Sequence, residues 1–249
     1  SAASDVYKRQ NYVRLVTKGA IPHHLVVTVK YSVMSTLPSI LMALGIALLL
    51  NTRIRLRSFY RLAIFTPVII SDVAAGLIWV WLLEEKYGLV NTVLRWIGLS
   101  PIKWITNPSW ALVSVSLVTV WKMTGYNMVI FLAGLQAIPR EYEEAALIDG
   151  AGRWARLTGI VLPLLKPTTF FVFVINIIFS FRVFDQILVM TNGGPMGATS
   201  TLSFAIYERG FVAFNWGDAA TLSVVLLASV LSFTAVAMKV ERGGRVLGF

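Results

Sequence analysis

Apolar residues fall along this chain in long blocks separated by short polar segments. A helix needs roughly 20 consecutive, mostly apolar residues to cross the hydrocarbon of a bilayer. Five windows reach that length: Tyr31–Leu50, Ala63–Leu83, Ala111–Ala137, Thr168–Met190 and Ala219–Met238. Each is apolar around most of its circumference, as expected in lipid, and not along the single stripe of a surface helix. Barrel strands are shorter and alternate in polarity, so they do not fit. Polar punctuation such as Asn51-Thr52-Arg53, Asn107-Pro108 and Asn192-Gly193-Gly194-Pro195 separates the windows. The expected fold class is all-α and integral to a membrane, with five visible transmembrane helices.

Composition strengthens that reading. The 249 residues are 57% hydrophobic and 14% charged, with mean hydropathy +0.73. Soluble domains average about 45–50% apolar and about 25% charged. A soluble core of this size cannot hide so much apolar surface, so the excess must face lipid. The net charge of +10 does not indicate a nucleic-acid partner, because the basic residues gather in particular loops and not on one stripe. The chain has no cysteine, which excludes disulfides, zinc–thiolate sites and a cysteine nucleophile.

The basic residues also orient the chain. Arg53, Arg55, Arg57 and Arg61 follow the first window; Arg140, Arg153, Arg156 and Lys166 follow the third; Lys239, Arg242 and Arg245 follow the last. These segments alternate correctly to share one side, and the positive-inside rule assigns that side to the cytoplasm. Trp79, Trp81, Trp104 and Trp110 fall near the opposite ends, where amphipathic rings prefer to sit. Residues 1–10 match neither a signal peptide nor a helix and read as an artefactual or disordered start. Residues 11–249 read as one membrane domain.

The connection from Ile138 to Pro167 is too long to be a mere link. Acidic residues at Glu141, Glu143 and Glu144 favour a helix start after Pro139, and Gly150 is a natural stop. A second short helical segment, Arg153–Val161, ends at Leu162-Pro163. The spacing Glu144-Ala145-Ala146, three residues, Gly150, nine residues, Ile160-Val161-Leu162-Pro163 resembles the EAA loop of ABC importer permeases. Further segments look like the sugar-permease branch related to the maltose and glycerol-phosphate permeases: Asn11-Tyr12-Val13-Arg14-Leu15, Phe131–Pro139, Val183-Phe184-Asp185-Gln186 and Asn192–Pro195.

The resemblance implies a multi-pass subunit of a bacterial-type cytoplasmic (inner) membrane, with six spans in the family and the first missing here. It implies a second permease subunit, two ATPase subunits, an external solute-binding protein and a sugar-like or glycerol-phosphate-like cargo. The coupling residues it implies are Glu144, Ala145, Ala146, Asp149, Gly150, Ile160, Leu162 and Pro163. Small Ala145 and Ala146 are expected to admit a partner surface, and Glu144 to bond there. No cofactor is expected on this chain; ATP and Mg belong to the partner ATPase.

Charges within spans cost roughly 2.5–3.5 kcal/mol each on insertion scales, so they usually face the bundle interior or water. Asp72, Lys122, Arg182 and Asp185 lie inside the windows, and with Tyr126, Asn127 and Asn176 they are candidates to line a solute path. The plainer readings are an Arg182–Asp185 pair within one helix turn and a snorkelling Lys122. A gradient-driven carrier with Asp72, Lys122 and Asp185 as proton relay is the rival function. A membrane-embedded enzyme is a third, without an identifiable catalytic set. Gly150–Ala155 fits GxGxxA, but no strand precedes it and position 170 is Phe, so the dinucleotide reading is rejected. There is no GxxxxGK[ST], so ATP hydrolysis is not expected on this chain. His23-His24 reads as a pair of surface histidines and not as a metal site.

Overall fold

The computed structural model describes residues 12–17, 19–52 and 55–246, apart from the side chains of residues 143 and 242–246. The start assigned to residues 1–10, Asn11 of the resemblance and Arg53 of the orientation argument lie outside the described residues. Helix follows helix, with no strand among the described residues: α1 Ala20–Asn51, α2 Arg57–Ile69, α3 Asp72–Leu82, α4 Leu89–Trp96, α5 Pro108–Gln136, α6 Arg140–Ile148 and α7 Arg153–Arg156. A π-helical turn, Leu157–Val161, leads through the short α8 Leu162–Leu164 to α9 Lys166–Phe181. Then come α10 Asp185–Met190, α11 Leu202–Tyr207, a second π-helical turn Glu208–Val212, and α12 Trp216–Val246.

Three helices are long and apolar enough to cross a membrane unaided: α1, α5 and the Trp216–Glu241 part of α12. Two bent pairs, α2 with α3 and Arg153–Leu164 with α9, bring the number to five when each counts as one span. The all-α membrane expectation holds, but two windows predicted as continuous are interrupted. Ala63–Leu83 breaks at Ile70, which adopts an extended backbone with ψ 133°, and Ser71 then caps α3 by accepting from the Ala74 amide at 3.2 Å. Thr168–Met190 breaks after Phe181, and residues 182–184 carry no helix before α10. The first span also begins earlier than predicted, at Ala20, and takes in His23 and His24.

α1 shows why hydropathy alone gives an incomplete picture. Thr28, Ser32, Ser35, Thr36, Ser39, Ala43 and Ala47 are all buried, while Val26, Val33, Leu37, Leu41 and Leu49 are exposed. The buried set recurs at three- and four-residue spacing, so it forms one face of the helix. Between helices in lipid there is no hydrophobic gain, so close packing of small side chains and hydrogen bonds must hold them together. The chain thus turns its small and polar residues inward and its aliphatic residues outward.

The structure divides into two compact units. One comprises residues 1–35, 71–118 and 177–249. Within it Leu15, Ile21, Leu202, Ala205 and Leu222 form a core cluster. The Ser32 and Ser180 hydroxyls meet at 2.6 Å, and the Thr28 hydroxyl accepts from the Leu202 amide at 2.9 Å. Asp218, nearly buried, is paired with Arg14, and Arg209 lies 3.9 Å from its other oxygen. Fully buried Asn91 ties the segment between α3 and α5 together. Its amide donates to the Glu85 and Ile102 carbonyls, and its oxygen accepts from the Ile102 amide and the Trp104 indole, at 2.9–3.1 Å.

The other unit comprises residues 36–70 and 119–176. Its core packs Ile40, Ala43, Ala47 and Leu50 of α1 with Met128, Phe131, Leu132 and Leu135 of α5 and with Val161, Leu165 and Val172. Gly125 permits the closest approach: a Cβ there would stand 2.3 Å from the Ile64 carbonyl oxygen. Only a residue without a side chain lets α2 and α5 touch at that point.

Candidate functional site

The 138–167 segment forms the helix, turn and second helix predicted for it. Pro139 sits at the N-cap of α6, and Asp149 at its C-cap. Gly150 follows with φ +76°. The Gly150 amide donates to the Leu147 carbonyl at 3.1 Å and the Ala151 amide to the Ala146 carbonyl at 2.9 Å. This is the paired 6→1 and 5→2 arrangement of a Schellman end, which needs a residue at ease in the left-handed region. The chain then turns into α7, and the π-helical turn carries it onward, where Leu157 and Val161 pack against the core around Leu50 and Leu135. The base of this element is anchored and its tip is free.

The tip carries the side chains that a partner would meet. Glu144, Ala145, Asp149 and Gly150 are exposed, and Ile160, Leu162 and Pro163 are half-buried. Tyr142 is 53% exposed, Leu147 55%, Ile148 86% and Trp154 75%. They form an apolar set in a segment that also holds Arg140, Glu141, Arg153 and Arg156. The two small alanines expected to admit a partner differ in exposure. Ala146 is buried within this chain, whereas Ala145 faces out. Successive positions on a helix point about 100° apart, so the two side chains meet different surroundings.

The polar residues of the spans divide between the two units. In the second unit Asn127 and Asn176, both buried, bond reciprocally: Asn176 Nδ2 donates to Asn127 Oδ1 at 2.8 Å, and Asn127 Nδ2 to Asn176 Oδ1 at 3.1 Å. Asn176 Nδ2 also donates to the Val172 carbonyl at 2.8 Å, and the Ser39 hydroxyl lies 3.4 Å from each amide. Buried Lys122 donates from Nζ to the Ile70 carbonyl at 2.7 Å. That carbonyl belongs to the end of α2, where helical partners run out and partial negative charge collects. Lys122 therefore completes the broken span and does not snorkel. Tyr126 is half-buried.

In the first unit Asp72 opens α3 and accepts from Gln186 Nε2 at 3.3 Å. An acidic group at a helix N-terminus is favoured there. Arg182 and Asp185 are both exposed, and no ion pair joins them. The helix ends at Phe181, so Arg182 lies outside it and Asp185 opens the next one, which removes the single-turn pairing predicted from their spacing. The surface reading of the histidines is corrected at His24. It is 8% exposed, and its Nδ1 lies 2.9 Å from the Ser200 carbonyl, while His23 Nε2 lies 3.0 Å from that of Gly197. Both rings clamp the segment that follows Asn192-Gly193-Gly194-Pro195 onto the start of α1. Hydropathy could not reveal this, because the contact joins residues about 175 apart. Among the described residues no group of His, Asp or Glu is arranged to hold a metal ion.

Three apolar helices long enough to cross a membrane, five with the two bent pairs, define the class, an integral membrane protein. The chain belongs to the family described as binding-protein-dependent transport system inner membrane component, whose profile matches residues 24–240. It is 36% identical to the trehalose/maltose transport system permease protein MalF of Thermococcus litoralis, over 94% of this chain and 79% of that one. Against the sn-glycerol-3-phosphate transport system permease protein UgpA of Rhizobium meliloti the identity is 37%, over 90% and 77%. A crystal structure of a bacterial ABC transporter involved in the import of the acidic polysaccharide alginate superposes with TM-score 0.84 and 26% identity, covering 94% of this chain and 82% of that one. A second structure of an alginate transporter, in complex with a periplasmic protein that holds an alginate pentasaccharide, gives TM-score 0.83 and 26% identity over 91% and 80%. The protein is thus an inner-membrane permease of the ABC-importer kind.

Proposed function

We propose that this chain pairs with a second permease subunit to move a hydroxyl-rich solute, a sugar or glycerol-phosphate-like molecule, inward by alternating access. Two separate ATPase subunits drive the cycle by gripping the 138–167 segment, and an external binding protein delivers the cargo. The observation that carries the coupling role is the exposed apolar tip, Tyr142, Leu147, Ile148 and Trp154, on an element whose base is packed into the core. Exposed apolar groups rimmed by charge mark surfaces made to be covered by another protein. A rigid element fixed at one end passes a partner's rigid-body motion into the helices it joins. ATP and Mg act on the partner, and this chain contributes translocation, not hydrolysis.

The solute class is supported by the relatives, which are named for trehalose/maltose and sn-glycerol-3-phosphate. Of the path candidates, Asn127 and Asn176 already satisfy each other, so the exposed Arg182 and Asp185 are the better places to look for cargo contacts. The test is reconstitution of the permease with its partner subunit, ATPase and binding protein in liposomes, with uptake of labelled maltose, trehalose and glycerol 3-phosphate. Uptake of one of these that needs ATP and the binding protein supports the reading. Uptake by the permease alone, driven by a proton gradient, would overturn it in favour of the gradient-driven carrier.

A further inference from the structure

The amino-terminal turns of α2 hold two arginines in an arrangement that the transport reading leaves unused. Arg57 and Arg61 stand four apart on one helix face, and both reach Gln136 at the end of α5. With its oxygen turned toward them, the Gln136 amide accepts from Arg57 Nη2 and from Arg61 Nη2, each at 2.9 Å. Two positive charges are therefore drawn together on a single neutral oxygen. No carboxylate lies within 4 Å of either guanidinium among the described residues. The Nε of each is buried and has no hydrogen-bond partner there. A guanidinium presents five donors and is always charged, so such a pair is short of an anion.

The surroundings indicate which anion. Leu56, Phe59, Tyr60 and Leu62, interleaved with the two arginines, are exposed, and Leu56 at the N-cap of α2 provides no side-chain cap. The amide groups of that first turn add partial positive charge. Apolar and aromatic side chains beside basic groups at the end of a span form the pattern that seats in the headgroup layer, with rings at the acyl boundary and cations at the phosphates. Arg55 extends the basic run, and the positive-inside rule places the run on the cytoplasmic leaflet.

We propose that Arg57 and Arg61, steered by Gln136, form a binding site for the phosphate of an anionic phospholipid headgroup in the cytoplasmic leaflet. The lipid supplies the counter-anion, and the planar forks are suited to grip a phosphate with paired donors. Gln136 contributes by fixing both forks in one direction. This site goes beyond the transport reading and does not depend on the cargo.

The test is a native mass-spectrometric titration of the assembled transporter with phosphatidylglycerol and, separately, phosphatidylcholine. The wild type is expected to bind the first phosphatidylglycerol more tightly than phosphatidylcholine. Arg57→Gln with Arg61→Gln should weaken that preference by at least about fivefold, the worth of a single basic residue at an anionic surface. Should the double variant fail to assemble, Gln136→Glu replaces it. That change supplies an internal carboxylate to both forks, so the protein should hold its thermal midpoint yet lose the lipid preference. An equal preference for phosphatidylglycerol in these variants overturns the proposal. Displacement of the lipid by excess inorganic phosphate overturns the assignment to lipid in favour of a free anion, and lipid binding that appears only once the ATPase is stripped from the transporter overturns it in favour of a protein carboxylate.

Discussion

Asn127 and Asn176 show what a polar side chain does inside this protein. Each amide offers donors and an acceptor, and each finds its match in the other within hydrogen-bond distance. Removing one partner leaves the other buried and unpaired, which costs about 1–3 kcal/mol, although interhelical bonds in membranes average nearer 0.6. Asn127→Ala should therefore lower thermal stability in detergent, whereas the double change to Leu should recover part of the loss. Transport by either variant that still folds should keep an unchanged KM; a large KM shift would return the pair to the solute path. Gly125 makes a second residue-scale argument. Gly125→Ala forces a Cβ toward the Ile64 carbonyl and is expected to cost about 1–3 kcal/mol. The same change at Gly45, where nothing stands within 4 Å, should be neutral or slightly stabilising. Thermal unfolding of the two variants side by side checks the contrast.

The breaks in the spans govern the scale of elements. An interrupted helix in lipid is tolerable only where its freed backbone groups find partners. At the end of α2 the partner of the Ile70 carbonyl is Lys122, contributed by α5. Lys122→Met keeps the bulk, removes the donor and should destabilise the protein by about 1–3 kcal/mol. Calorimetry or a thiol-free thermal assay in detergent reads that loss, and stability equal to wild type would refute the capping role. Sequence pattern gave the five apolar windows because window length and composition depend on neighbours in the chain. It did not give the breaks at Ile70 and after Phe181, because a window average passes over the polar residues that stand there, Ser71-Asp72 at the first and Arg182 and Asp185 at the second. Ser71-Asp72, an N-cap residue followed by an acidic first turn, was the available signal at the first break, whereas Pro67 lies within α2. The inward small-residue stripe of α1 was legible in principle, from Ser32, Thr36, Ser39, Ala43 and Ala47 at helical spacing. A reading for hydropathy alone passes over it. The burial of Ala146 and of His24 depends on which neighbours the fold brings up, and no local pattern encodes that.

At the scale of the whole molecule, function was more legible than geometry. A spaced set of residues in 138–167 resembled the coupling loop of ABC importer permeases, and the family match over residues 24–240 shows the family that this resemblance named. The helix, the left-handed Gly150 and the second helix follow from local rules on capping and turns, so they were readable in advance. The solute was not, because scattered polar residues become a path only when subunits close around them. The central claim is that the exposed tip of 138–167 transmits the ATPase cycle. A chain without cysteine allows a direct measurement. One cysteine is placed at exposed Ala145, another in the cleft of the cognate ATPase, and the assembled transporter is oxidised with and without ATP. The account expects a cross-link whose yield changes when ATP binds. A transporter that assembles, takes up its solute and forms no cross-link with any position in the ATPase cleft would contradict it.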